Sequence, residues 1–172
     1  MTGAHSPAAR PLVVMGVSGC GKSTLAHALA LRCGATFIEG DGLHPAANVA
    51  KMASGSPLTD EDRWPYLENV AHAIRAVREG GAVAACSALR RIYRDVLRRT
   101  VGSDIMFVMP AVAPQELKRR LRARTDHFMP ATLLQSQLDT LEPPQPPETY
   151  VVVDGHLPLA RQMDAVMAAV RA

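Results

Sequence analysis

Eight consecutive residues carry the most specific chemistry in the chain. Gly16-Val17-Ser18-Gly19-Cys20-Gly21-Lys22-Ser23 satisfies G-x-x-x-x-G-K-[ST] at every fixed position. Glycines at those places let the backbone wrap closely, so successive N–H groups converge on phosphate oxygens. Lys22 is suited to the β- and γ-phosphates, Ser23 to a Mg²⁺ ion, and Thr24 belongs to the same nucleotide-binding set. The implied chemistry is ATP binding, and phosphoryl transfer if a base and an acceptor are at hand. A second group, Glu39-Gly40-Asp41, supplies two carboxylates. A carboxylate beside such a loop can hold Mg²⁺ through water or take the proton of an attacking hydroxyl. We assign Asp41 as base and acceptor anchor, and Glu39 as the metal's partner through water. Spacing i, i+2 puts both on one face if their strand continues. The plainer alternative is a pair of acids at a solvated strand end.

The elements that must position these groups are legible as alternating apolar runs and helical periods. Residues 12–17 (LVVMGV) read as a buried parallel strand leading into the glycine loop. A helix follows with Leu25, Ala28 and Leu29 on its period, closed by Gly34. Further strands are expected at 36–39, 82–87, 105–109 and 150–154. Helices are expected at 67–79, 89–99, 114–124, 131–141 and 159–170, with a short one at 46–53. This alternation argues for a three-layer α/β fold on a five-stranded parallel sheet. Residues 1–10 read as a loose tail without the apolar core of a signal peptide, and 11–172 as one domain. Two insertions, 41–65 and 125–130, follow the strand ends where such sheets bind ligands. The run Tyr150-Val-Val-Val-Asp154 looks like the metal-binding strand of other nucleotide hydrolases. It lies on the last strand, however, and the neighbour of the glycine loop is expected to be 82–87.

Composition narrows the class. The chain has 172 residues, 48% hydrophobic and 20% charged, and no apolar run long enough to span a membrane. Cys20, Cys33 and Cys86 are odd in number and unpaired by spacing, which suits a reducing cytoplasm better than a disulfide framework. Lys118, Arg119, Arg120, Arg122 and Arg124 concentrate +5, so the remainder of this +3 chain is net negative. Charge so localised suits a polyphosphate better than a duplex, although a solvated helix face would look the same. With 4% aromatics and no basic–aromatic interleaving, nucleic acid is not the expected partner.

Several stretches together resemble the gluconokinase family. They are Gly40-Asp41-Gly42-Leu43-His44-Pro45 with Asn48 and Lys51-Met52, and the run from Pro57 to Pro65 containing Arg63-Trp64. Cys86-Ser87-Ala88-Leu89-Arg90, Tyr93-Arg94-Asp95, Arg122-Ala123-Arg124 and His127-Phe128 complete the likeness, which runs from Leu12 to the last helix. Glu39 departs from the aspartate expected in many relatives, keeping the charge. The resemblance implies a fold like that of nucleoside monophosphate kinases, with a substrate-binding insertion and a lid. It implies ATP- and Mg²⁺-dependent phosphorylation of D-gluconate at its 6-hydroxyl, in a homodimer.

It also implies roles. Gluconate is an anion with five hydroxyls, so Asp41, His44, Lys51, Arg63, Arg90, Arg94 and Ser87 become candidate substrate contacts. Arg63 could instead pair with Asp60 or Asp62. Arg124 would meet charge on the transferring phosphoryl group, and Arg120 would touch the nucleotide, while Arg119 points elsewhere. Cys86 reads as a packed residue. Other hydroxyl kinases, of the shikimate or adenylylsulfate type, stay as alternatives, as does a non-catalytic ATP-binding module. The 41–65 stretch argues against the first and the complete set of Lys22, Asp41 and Arg124 against the second.

Overall fold

The computed structural model describes residues 10–77, 80–124 and 130–172. A five-stranded parallel sheet runs in the order β2-β3-β1-β4-β5. The strands are β1 (Leu12–Val14), β2 (Thr36–Glu39), β3 (Ala82–Ala85), β4 (Met106–Ala111) and β5 (Tyr150–Asp154). The helices are α1 (Lys22–Cys33), α2 (Ala46–Ala53), α3 (Asp60–Ala76), α4 (Arg91–Val101), α5 (Pro114–Arg122), α6 (Leu134–Thr140) and α7 (Leu159–Arg171). Among the described residues, no helix is long and apolar enough to cross a membrane.

Strand alternation sends successive side chains to opposite faces and so builds two cores. Val13 and Met15 face one core, filled by Tyr66, Leu67 and Val70 of α3, Tyr93 and Leu97 of α4, and Leu117 and Leu121 of α5. Leu12 and Val14 face the other, filled by Leu25, Ala26 and Leu29 of α1 and by Val166 of α7. The sheet is thus the middle of three layers. β1 is central, paired with β3 and β4, so the loop leaving it opens where crossovers go both ways. β3 is the neighbour that the sequence pointed to. Asp154 ends an edge strand two places from β1, and its Oδ1 accepts the His156 N–H at 2.9 Å.

Two expectations need correction. The third helix starts at Asp60, not at residue 67. Thr59 and Asp62 form a reciprocal capping box, with Asp62 N–H donating to Thr59 Oγ1 at 3.2 Å and Thr59 N–H to Asp62 Oδ2 at 2.8 Å. That cap stabilises a first turn strong enough to carry Pro65 inside the helix, although proline takes away one backbone donor. Arg63 and Trp64 therefore sit on a helix rather than in a loop. The second strand stops at Glu39, and Gly40–Leu43 forms a 3₁₀ turn. Glu39 and Asp41 are then not alternate residues of one strand; Glu39 caps the turn, its Oε1 accepting the Asp41 N–H at 3.5 Å. Gly40 is obligatory, because a Cβ there would meet Ala85 O at 2.1 Å and Tyr66 OH at 2.9 Å.

Candidate active site

The glycine loop owes its shape to three positive φ angles, Gly16 at 132°, Gly19 at 87° and Gly21 at 96°. Gly16 N–H donates to Ser87 O at 3.1 Å, tying the loop's start to the end of β3. Val17 is buried in the core, and its carbonyl accepts Lys22 Nζ at 3.0 Å. α1 begins at Lys22 with Gly21 as its N-cap, no side-chain cap and no acid in its first turn. Its first N–H groups are therefore free of the partner that most helices supply from their own sequence, and the helix dipole adds positive potential there. This is a cradle suited to an anion of several oxygens.

A cleft of ≈ 340 Å³ opens beside the loop. Ser18, Gly19, Gly21, Lys22 and Ser23 line it from the loop side, and Glu39, Asp41, His44, Arg63, Ser87 and Arg124 from elsewhere. Two carboxylates thus face three cations across one space. A second cavity of ≈ 370 Å³ lies on the other side of the loop, lined by Gly19, Cys20, Gly21, Thr24, Arg120 and Arg124 with Gly155, Leu157 and Gln162. Arg120 is fixed there: Nε donates to Glu116 Oε1 at 2.8 Å and Nη2 to Gly155 O at 2.9 Å. α5 ends at Arg122, so Arg124 belongs to the turn after it, with its N–H on Leu121 O at 3.2 Å. Arg119, expected to point elsewhere, pairs with Glu116 at 2.7 Å and, although largely exposed, also lines this second cavity. Residues 125–129 of the expected lid, with His127 and Phe128, lie outside the described residues.

His44 stacks on Tyr66 with ring centroids 3.6 Å apart and planes 10° from parallel. Burial, aided by the Arg63 charge and opposed by Asp41, lowers its pKa from 6.5 to about 4, so the ring is neutral near pH 7. Arg63 Nη1 donates to Leu58 O at 2.8 Å and to the Tyr93 hydroxyl at 3.0 Å, which aims the guanidinium into the cleft. Cys86 is buried and its thiol is pushed up to about 11, chiefly by desolvation, so it is packing and not a nucleophile.

Three expected substrate contacts stand elsewhere. Arg94 is fully buried: its Nε and Nη2 donate to Glu148 at 2.6 and 3.2 Å, and Nη1 donates to Ala88 O and Glu142 O. It clasps the Pro-rich connector to α4 and does not line the cleft. Arg90 bridges Asp60 at 2.7 Å and Glu142 at 3.3 Å. Lys51 pairs with Asp62 at 2.6 Å, and that hydrogen bond heads the causes holding the Asp62 carboxyl at about 2. Each of these cations found an acid on another segment, 11 residues away for Lys51 and 30 to 54 for Arg90 and Arg94. Asp60 and Asp62, the alternatives foreseen for Arg63, are the ones taken. The cleft also holds residues that the sequence did not single out, among them Tyr66, Leu133, Ser136 and Gln137. Tyr66 could have been found from the helical register of α3; Gln137 carried no signal.

Ser23, Glu39 and Asp41 line one space and are all hard oxygen donors. Among the described residues there is no group of three His, Cys, Asp or Glu side chains able to hold a metal by themselves. A cation here would draw its remaining ligands from phosphate oxygens and water, the habit of Mg²⁺.

Comparison with known proteins follows the same lines. A family model described as an AAA domain matches residues 12–144. A gluconokinase of Gluconobacter oxydans (strain 621H) is 53% identical over 150 residues, covering 85% of this chain and 83% of that protein. The crystal structure of a gluconokinase from Sinorhizobium meliloti 1021 superposes with a TM-score of 0.85 at 46% identity, covering 95% of this chain and 92% of that one. A sugar kinase structure from Janibacter sp. HTCC2649 superposes with a TM-score of 0.86 at 42% identity, covering 96% and 95%.

Proposed function

This chain belongs to the gluconokinase family, and from that premise we propose that it transfers the γ-phosphoryl group of ATP to the 6-hydroxyl of D-gluconate, with Mg²⁺ as the metal. The products are 6-phosphogluconate and ADP. The observation that carries this reading is the shared cleft. Lys22 and Ser23 of the phosphate cradle face Asp41, His44 and Arg63 across a volume in the range of small-molecule sites.

Asp41 accepts the proton of the attacking hydroxyl as the new oxygen–phosphorus bond forms and the bond to the β-phosphate oxygen breaks. In a loose transition state charge spreads over the equatorial oxygens, so positioning and neutralisation matter more than strong base assistance. Lys22 and Arg124 neutralise that charge, and the loop N–H groups from Gly19 onward hold the inner phosphates. Ser23, with Glu39 through water, would hold Mg²⁺, which would supply further charge neutralisation. Thr24, Cys20 and Arg120 serve the nucleotide from the second cavity. On the acceptor side, Arg63 meets the gluconate carboxylate, neutral His44 donates to or accepts from a hydroxyl, and Ser87 steadies the phosphoryl group. Lys51, Arg90 and Arg94 brace the helices that carry these groups. A homodimer and a cytoplasmic location go with the family and complete the reading.

The test is ADP release with Mg²⁺·ATP and a panel of sugar acids and shikimate, with the product identified by phosphorus NMR. Gluconate should be the preferred acceptor, giving a primary phosphate ester. Equal turnover of shikimate, or no stimulation by gluconate above the ATP-hydrolysis background, would overturn it.

A further inference from the structure

Gln137, on α6, reaches the phosphate cradle from a distant part of the chain. Its Oε1 accepts the Ser18 N–H at 2.7 Å, a bond between residues 119 apart in sequence. Ser18 lines the ≈ 340 Å³ cleft together with Asp41, His44 and Arg63, but not the ≈ 370 Å³ cavity on the nucleotide side. Gly19 and Gly21 line both. The Ser18 donor therefore stands at the acceptor-facing end of the loop, where a terminal phosphoryl group rather than an inner one must come. A second observation marks the same spot. Ser18 is 6% exposed, and among the described residues its Oγ has no hydrogen-bond partner. A buried hydroxyl left so is costly unless something else meets it. Ser18 thus carries two donors, an N–H that Gln137 satisfies and a buried hydroxyl that no described residue meets.

We propose that Gln137 is a positioning residue that reads the terminal phosphate: its amide oxygen and a γ-phosphoryl oxygen compete for the Ser18 N–H. One N–H serves one strong acceptor, and an anionic phosphoryl oxygen is the stronger of the two. ATP therefore releases Gln137 from the loop, whereas ADP leaves the bond standing. Ser136 and Leu133 line the cleft beside Gln137, so the release is registered in a wall that the acceptor also touches. By linkage, any factor by which ATP changes acceptor affinity through this wall is the factor by which the acceptor changes ATP affinity. The role rests on reading residues 16–23 as an ATP cradle.

The test titrates Mg²⁺ complexes of a non-hydrolysable ATP analogue and of ADP into the wild-type protein, Gln137→Met and Gln137→Glu. Methionine keeps the length and the packing but removes the amide, the Oε1 acceptor together with the Nε2 donor. Gln137→Met should bind the ATP analogue about three- to tenfold more tightly, the worth of one displaced neutral hydrogen bond, with ADP affinity unchanged. Gln137→Glu keeps an acceptor and adds charge, so it should weaken the ATP analogue more than ADP. Equal effects on the two nucleotides, or none, in Gln137→Met would reduce Gln137 to packing and overturn the proposal. Failure of the wild-type protein to bind either nucleotide would instead overturn the cradle itself, and this role with it.

Discussion

The two halves of the cleft are built by different physics. The nucleotide half comes from residues 16–23 and the start of α1, and backbone N–H groups aimed by glycine conformations do most of its work. The acceptor half comes mainly from side chains on the 3₁₀ turn, on α3 and at the end of β3, positions 39 to 87, with Leu133, Ser136 and Gln137 adding a wall from the far end of the chain. A backbone donor needs only the right local dihedrals. A side-chain cation must also escape every acid that the fold brings near it. Of Lys51, Arg63, Arg90 and Arg94, only Arg63 lines the cleft; the other three are held by Asp62, by Asp60 with Glu142, and by Glu148. A site made of backbone is specified locally, and a site made of charges is specified by the whole chain.

The sharpest way to break that contrast is to remove one charge from each half. Lys22→Ala should cut turnover about 10²–10³-fold, the scale of losing a transition-state donor, with little loss of melting temperature. Asp41→Asn keeps the shape and one acceptor oxygen, and should cut kcat about 10²-fold, the low end for a general base because the transition state is loose. ATP affinity, measured by titration, should fall in the first variant and barely move in the second. Unchanged turnover in Asp41→Asn would retire it as the base, and a matching collapse of Mg²⁺·ATP affinity would reassign it to the metal.

Legibility follows the same division. The parallel sheet, the place of β3 beside β1 and the helix 46–53 were readable because period and punctuation are local. The expected start at residue 67 lies past the insertion that ends at Pro65, whereas α3 begins at the Thr59–Asp62 capping box, itself a local pattern. The burial of Arg94 was not readable at all. Its partner Glu148 lies 54 residues away in a Pro-rich connector, and nothing in i, i+4 spacing distinguishes Arg94 from Arg90.

A paired substitution sharpens this middle ground. Arg94→Met would leave the Glu148 carboxylate buried without its partner, and removing one member of such a pair costs roughly 3–5 kcal/mol. Thermal or urea unfolding should show that loss, while the folded fraction keeps its gluconate KM. Arg63→Met should do the reverse, raising gluconate KM roughly tenfold, as expected for a charged hydrogen bond, with a small change in stability. An Arg94 variant that is stable but has a raised KM would return Arg94 to the sugar site.

The smallest effect tests whether the acceptor half uses His44 as a charge or as a neutral group. Its ring is stacked on Tyr66, and Asn48 Nδ2 lies 3.4 Å from its Nδ1. Asn48 Nδ2 also donates to Asp62 O at 2.7 Å, so the amide presents its N–H side and His44 Nδ1 is the acceptor. The proton then sits on Nε2. With the folded pKa lowered from 6.5 to about 4, the unfolded chain binds a proton more readily between those values. The stability contribution is fully present above about 6.5 and is lost as pH falls through about 4. His44→Gln keeps a neutral donor and acceptor and should flatten the melting temperature against pH in that window. Asp62 and Glu116, both lowered to about 2 from 3.8 and 4.5, lose their contributions as pH falls from those values, so their windows lie mostly below that of His44. At pH 7.5 the same variant should raise gluconate KM only a fewfold, because one neutral hydrogen bond is at stake. An unchanged acid slope in His44→Gln would show that the ring titrates as it does in the unfolded chain. A wild-type gluconate KM that improves as pH falls from 7 to 6 would show that the site wants the imidazolium, and the acceptor half would then read its anion with two cations rather than one.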